Sequence, residues 1–237
     1  MSRILLIHGA WHNEKCWNTV ISLLEKEGYD AFALTLPGNE VDGDKNVSYD
    51  DYVNHVVEVI NNQPDDVIVV GHSSAGHVIQ MAVPKVKDKV KKIIFNDAWI
   101  IPDGQSQFDL VPEEIKNGMI EAAKASGENA IPVDPGFLRG MLATEADEET
   151  FEKLLGILVS QPLALMETPI NAKPLESLNM PKVLLYCTKD ISLPKEVYVG
   201  MFVALGSDQI VEVECDHEGL FTNPEAFTKG LIKCIEI

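Results

Sequence analysis

Two kinds of apolar pattern alternate along this chain. Short, nearly continuous apolar runs at 3–7, 30–36, 66–70, 90–95, 182–187 and 209–214 read as buried strands. Between them lie stretches with apolar residues three and four apart. Val20, Ile21, Leu23 and Leu24 recur at helical spacing within 18–27, and Gly28 stops that helix. Ser48 is placed to cap a helix over 50–61, whose Tyr52, Val53, Val56, Val57 and Ile60 share one face. Further helices are expected over 75–83, 196–205 and 225–234. Strands alternating with helices predict an α/β fold: a mostly parallel sheet of about six strands with helices on both faces.

The alternation lapses between about 105 and 178. That stretch predicts helices over 112–125, 147–160 and 162–171 and no strand. It is expected to form a helical cap on the C-terminal edge of the sheet, where open α/β sheets bind ligands. The expected division is a core of 1–104 and 179–237 with a cap of 105–178.

Composition narrows the partners. The 237 residues carry a formal net charge of −18, which argues against nucleic acid and anionic membranes. No apolar stretch approaches the roughly 18 residues of a membrane helix. The first apolar run, Ile4 to Ile7, ends at His8-Gly9, too short for a secretion signal, so a cytoplasmic location is expected. Cys16, Cys187, Cys215 and Cys234 are far apart, without CxxC or zinc spacing, and are expected as free thiols. Neither a metal nor a cofactor is implied.

The third run breaks abruptly: VIVVGHSSAG, Val67 to Gly76. A strand, a very tight turn and a helix form a nucleophile elbow, G-x-S-x-G. Strand and helix cross so closely there that the residues two before and two after the nucleophile must be small. Around Ser73 these are Gly71 and Ala75; around Ser74 they are His72 and Gly76, and a histidine at the crossing clashes. Ser73 is therefore the candidate nucleophile. A serine needs a base. Of six histidines only His217, in CDHEGLF after the last strand, lies well downstream. The acid is expected to be Asp190, after the fifth strand, with Asp97, after the fourth, as the alternative. An oxyanion needs two N–H donors, expected from the backbone of Ser74 and of Ala10 in the loop HGAW. Trp11, His12 and Trp99 leave the same sheet edge and are candidate substrate contacts. From the cap, Phe108, Leu110, Phe137, Leu138, Met141, Leu158, Leu163 and Met166 are candidates for the pocket wall.

HGAWHNEKCW, GHSSAG, NDAWIIPDG, YCTKDISLP and CDHEGLF, in this order, resemble the α/β-hydrolase superfamily. More narrowly they resemble the plant methylesterase and hydroxynitrile lyase branch and its bacterial esterase relatives. The resemblance covers nearly the whole chain outside the cap. It implies a triad of Ser73, Asp190 and His217, with the N–H groups of Ala10 and Ser74 as the oxyanion hole. Hydroxynitrile lyases of this branch carry a lysine directly after the catalytic histidine, where this chain has Glu218. The departure favours ester hydrolysis, and Glu218 is expected to be a solvated carboxylate. The leading expectation is a serine hydrolase for a small, neutral, hydrophobic carboxylic ester. A small-molecule ester is then the only partner implied, and a homodimer is allowed. Two other classes stay open. One is a ligand-binding receptor or carrier on a hydrolase scaffold. The other is a cofactor-free lyase, C–C hydrolase or dioxygenase using the same pocket.

Overall fold

A computed structural model describes residues 2–207 and 209–237; Met1 and Asp208, both inside the expected core segments, lie outside it. The strands are β1 (Arg3–Ile7), β2 (Ala31–Leu34), β3 (Val67–His72), β4 (Val90–Asn96), β5 (Ala130–Ile131), β6 (Gln161–Pro162), β7 (Lys182–Cys187) and β8 (Ile210–Val213), and all but β5 and β6 come from the apolar runs. Six of them make one parallel sheet in the order β2-β1-β3-β4-β7-β8.

Both faces of this sheet are buried, which is why its strands read as continuous apolar runs. Leu5, Ile7, Val67, Val69, Ile93 and Phe95 point to one face. The chain's first helices are α1 (Asn18–Lys26), α2 (Tyr49–Asn61) and α3 (Ala75–Ala82), and α2 and α3 pack on this face through Tyr52, Val56, Val78 and Ile79. Ile4, Leu6, Ile68, Val70 and Ile94 point to the other face. They meet Val20 and Leu24 of α1 and Phe227 and Leu231 of the last helix, Pro224–Glu236. Ser48 caps α2 in a reciprocal capping box with Asp51.

The topology places a site. β1 lies between β2 and β3, so the chain leaves β1 toward one side and β3 toward the other. The helices that follow, α1 and α3, cover opposite faces. A crevice opens between the two connections at the C-terminal ends of β1 and β3, where Ile7 pairs with Gly71.

The segment between β4 and β7 is largely helical, with corrections. α4 spans Glu113–Ser126. The helix expected over 147–160 ends at Leu155, because the residues after Gly156 turn back to bind the loop after β1: the Val159 N–H donates to Trp11 O at 2.8 Å. The helix expected over 162–171 is two short pieces, Ala164–Glu167 and Lys173–Glu176. Pro169 forces Thr168 into extended backbone and ends the first. The segment was expected to hold no strand, yet β5 and β6 pair antiparallel within it. Leu138, Leu142, Phe151 and Leu154 give it a small apolar cluster of its own. Among the described residues, no helix is long and apolar enough to cross a membrane.

Candidate active site

Ser73 sits on the corner between β3 and α3 with φ of 53°, in the left-handed region. Its N–H donates to Asn96 O, and its carbonyl accepts from Gly76 and Trp99, each at 3.0 Å. A Cβ on Gly71 would collide with Ile79 Cδ1 and come within 3.4 Å of Ala75 Cβ, so the two small positions are what the close crossing requires. Gly9 plays the same part across the crevice. A Cβ there would stand 2.8 Å from Ser73 Cβ, so only glycine lets the β1 loop lie this close to the serine. Trp11 and Asp97 also have positive φ, 63° and 39°. Three of the four non-glycine residues with positive φ among the described residues therefore cluster at this sheet edge, as strain does at functional sites.

His217 Nδ1 lies 2.7 Å from Asp190 Oδ2, and both side chains are buried. Asp190 is held in turn by the Ser192 N–H on Oδ1, at 2.7 Å, and by the Tyr198 hydroxyl on Oδ2, at 2.9 Å. Burial works to lower the His217 pKa, but the Asp190 charge and hydrogen bond outweigh it and carry it up to about 9. Burial opposes the charge on Asp190 as well, and the facing imidazole holds that carboxyl below the usual range. Asp97 behaves differently. It accepts from the Cys187 N–H at 3.0 Å, and burial, with the Asp190 charge second, pushes it up to about 8. Burial therefore disfavours its charge, and no hydrogen bond joins it to His217 among the described residues.

Ser73, Ser74 and His217 line one cavity of about 130 Å³ together with Trp11 and Trp99. Phe108, Leu110, Phe137, Met141 and Met166 of the inserted segment complete its apolar wall, whereas Leu163 belongs to the core. Among the described residues, neither the Ala10 nor the Ser74 N–H finds an acceptor in the protein. His12 does not line this cavity. It borders an adjoining chamber of about 470 Å³, on the far side of Trp11 and Phe137. Its ring is engaged by Ala10 O and Glu218.

One expectation about a charged neighbour is corrected. Glu218 is not solvated: it is fully buried and paired with His12 at 3.2 Å. His72 does not line the cavity, and it packs its ring 4.7 Å from that of His217. Asp216, next to His217 in the chain, accepts from Thr222 Oγ1 and the Glu145 N–H. Tyr198 and Ser192 carried no sequence signal beyond Ser192 standing two residues after an aspartate, where a serine N–H closes an Asx turn. The donor atoms of His72, His217 and Glu218, and those of Asp97, Asp190 and His217, lie within 4.8 Å of one another. Both sets share His217.

The arrangement is that of a hydroxyl on a strained corner sharing a cavity with an oriented imidazole. Comparisons agree with it. The Alpha/beta hydrolase family matches residues 4–229. A solved extracellular alpha/beta-hydrolase from a Paenibacillus species is 28% identical, with a TM-score of 0.92 over 99% of both chains. That protein is described as sharing structural and functional homology with tobacco salicylic acid binding protein 2. A carbendazim hydrolyzing esterase from Nocardioides sp. is 24% identical over 98% of each chain. The chain also resembles two chloroplastic proteins of Arabidopsis thaliana provisionally named methylesterases 11 and 12, at 23% and 31% identity. All of this chain is matched in the first and 48% in the second, and the matches span 64% and 34% of those proteins' lengths. With 4–229 matched and the fold and elbow in place, the chain belongs to the alpha/beta hydrolase family.

Proposed function

We propose that the protein is a serine hydrolase that cleaves small, neutral, hydrophobic carboxylic esters through an acyl-enzyme. The observation that carries this is the 2.7 Å contact of His217 Nδ1 with Asp190, behind a cavity lined by His217 and Ser73. The Nδ1–H donates to the carboxylate, leaving the Nε2 lone pair to act as base. Ser73 Oγ attacks the ester carbonyl carbon as its proton passes to Nε2. The carbonyl electron pair moves onto oxygen, where the N–H groups of Ala10 and Ser74 receive it. Collapse of the intermediate expels the alkoxide, which takes the proton back from His217. Water repeats the sequence on the acyl-enzyme, releasing the carboxylic acid and regenerating Ser73. The segment 105–178 acts as the cap that roofs this cavity over the core of 1–104 and 179–237. Trp11 and Trp99 are its contacts to substrate. The esterase and methylesterase names among the relatives support the reading.

A fluorophosphonate probe, with a panel of chromogenic esters of increasing acyl length, tests it. Labelling at Ser73 and turnover that favours short apolar acyl groups are expected. No labelling and no turnover would leave a binding protein on the same scaffold.

The base must be neutral, and its pKa is raised, so activity is lost as pH falls through the raised value. For an ester that does not ionise, kcat/KM should rise with pH along a limb whose midpoint lies above the ordinary imidazole value of about 6.5. A midpoint at or below that value would mean that Asp190 does not support His217.

The lyase alternative needs a cation beside a departing cyanide. None of the residues lining the cavity is a lysine or arginine, and Glu218 is already matched to His12. Cyanide release from mandelonitrile is expected to stay at background. Clear release, abolished by His217→Ala, would replace the hydrolase reading by the lyase.

A further inference from the structure

A second buried ion pair stands behind the first. Glu218 follows His217 directly and is fully buried, and His12 is 2% exposed. Glu218 Oε2 lies 3.2 Å from His12 Nε2. The other ring nitrogen, Nδ1, lies 2.8 Å from Ala10 O. A carbonyl only accepts, so Nδ1 carries a proton. Nε2 and the carboxylate are buried at ion-pair distance without the alignment of a hydrogen bond, and neither has another hydrogen-bond partner among the described residues, so the negative charge favours a second proton on Nε2. Burial works against the charge on His12, yet the Glu218 charge outweighs it and raises the His12 pKa. The carboxyl responds in kind: burial would raise it, and His12 holds it down at about 2.

The carbonyl that His12 grips belongs to the peptide between Ala10 and Trp11. The other end of that peptide, the Trp11 N–H, donates to Gln161 Oε1 at 3.0 Å. Gln161 Oε1 is itself bonded by Asn39 Nδ2, which also holds His12 O. Trp11 is in the left-handed region, a backbone state that persists only where its surroundings fix it. The Ala10 N–H, assigned above to the oxyanion, leaves from the peptide immediately before the gripped one.

We propose that His12 and Glu218 are positioning residues for the oxyanion hole: Glu218 keeps both His12 ring nitrogens protonated, and the Nδ1–H clamps the Ala10 carbonyl so that the Ala10 N–H faces the reacting oxygen. The inference rests on the hydrolase reading. Neither side chain lines the cavity that holds Ser73. The Glu218 charge also reaches His217 and helps to raise its pKa, so the test must separate that path from the one through the loop.

The test compares the unmutated protein with Glu218→Ala and Glu218→Gln. In Glu218→Ala the imidazole loses its second proton and is free to put the remaining one on Nε2, which releases the carbonyl. Complete loss of an oxyanion donor costs roughly 10²–10³ in kcat, and misaiming one should cost roughly 10–100-fold. KM should change little. The inhibition constant of a trifluoromethyl ketone, which becomes an oxyanion on Ser73, should weaken by the same factor as kcat/KM, while that of a neutral alcohol stays put. Glu218→Gln should recover most of the loss, because its amide N–H donates to a bare Nε2 and leaves the proton on Nδ1. Nitrogen NMR of the unmutated protein should show both His12 ring nitrogens protonated at neutral pH.

Three results overturn the proposal. One is a neutral His12 in the unmutated protein. The second is a Glu218→Ala variant with unchanged kcat/KM and ketone affinity. The third is a fall in kcat with ketone affinity unchanged, which assigns Glu218 to His217. If Glu218→Ala does not fold, Glu218→Gln and the NMR measurement decide. If the unmutated protein neither turns over an ester nor takes the fluorophosphonate, the hydrolase reading fails, and His12 protonation still tests the clamp.

Discussion

Ser73→Ala should abolish ester turnover, with kcat falling by roughly 10⁶, as loss of a triad serine does. The fold should survive. The backbone bonds that hold the corner, from Ser73 N–H to Asn96 O and from Gly76 and Trp99 to Ser73 O, do not involve the hydroxyl. Alanine tolerates the left-handed corner about as poorly as serine does, so no new strain is introduced. Thermal unfolding should stay close to that of the unmutated protein. Ser74→Ala is the control. Ser74 is assigned only its backbone N–H, which alanine keeps, so its kcat should stay within roughly tenfold, far from a triad loss. A dead Ser74 variant beside an active Ser73 variant would move the nucleophile by one residue. It would also put His72 at the helix crossing, where the structure has Gly71 against Ala75.

Which parts of this site were legible in the sequence follows from which forces are local. The elbow was legible because its constraint is steric and acts over five residues, Gly71 to Ala75. The six main strands were legible because a parallel sheet buried on both faces leaves continuous apolar runs. β5 and β6 were not, because two residues carry no period. The helix over 147–160 was overextended because its apolar spacing continues past Leu155; what ends it is a distant partner, Trp11 O. Glu218 was misread for a related reason. Nothing in CDHEGLF says whether a glutamate faces water. Its burial depends on His12, more than 200 residues earlier, which the sheet brings to it. Tyr198 reached Asp190 in the same way, from a helix that begins at Lys195. Side chains fixed by local geometry were readable, while those fixed by contacts among separate loops were not.

Asp190→Asn should lower kcat by about 10⁴, with the fold retained, and the reason lies in how an amide must sit. Asp190 Oδ1 accepts from the Ser192 N–H, and Oδ2 accepts from His217 and from the Tyr198 hydroxyl. An asparagine has one oxygen for these two places. With its NH₂ toward Ser192, two buried donors would face each other, which is costly. With its oxygen toward Ser192, the NH₂ faces His217 Nδ1, and the Tyr198 hydroxyl rotates to accept. Nδ1 must then accept as well, so the ring proton moves to Nε2. The base is left pointing a proton, not a lone pair, at Ser73. Asp97→Asn should lose far less. Asp97 makes no hydrogen bond to His217 among the described residues, and burial pushes its pKa up to about 8, so an uncharged amide replaces a carboxyl whose charge is already disfavoured. The oxygen can keep the Cys187 N–H; the NH₂ then meets Asn96 Nδ2, a cost to stability that leaves the His217 tautomer untouched. Steady-state rates on one good ester, with thermal unfolding as the check on folding, order the two variants. If Asp97→Asn proves the more damaging, the acid of the triad stands at the end of β4 and the contact between His217 and Asp190 is structural.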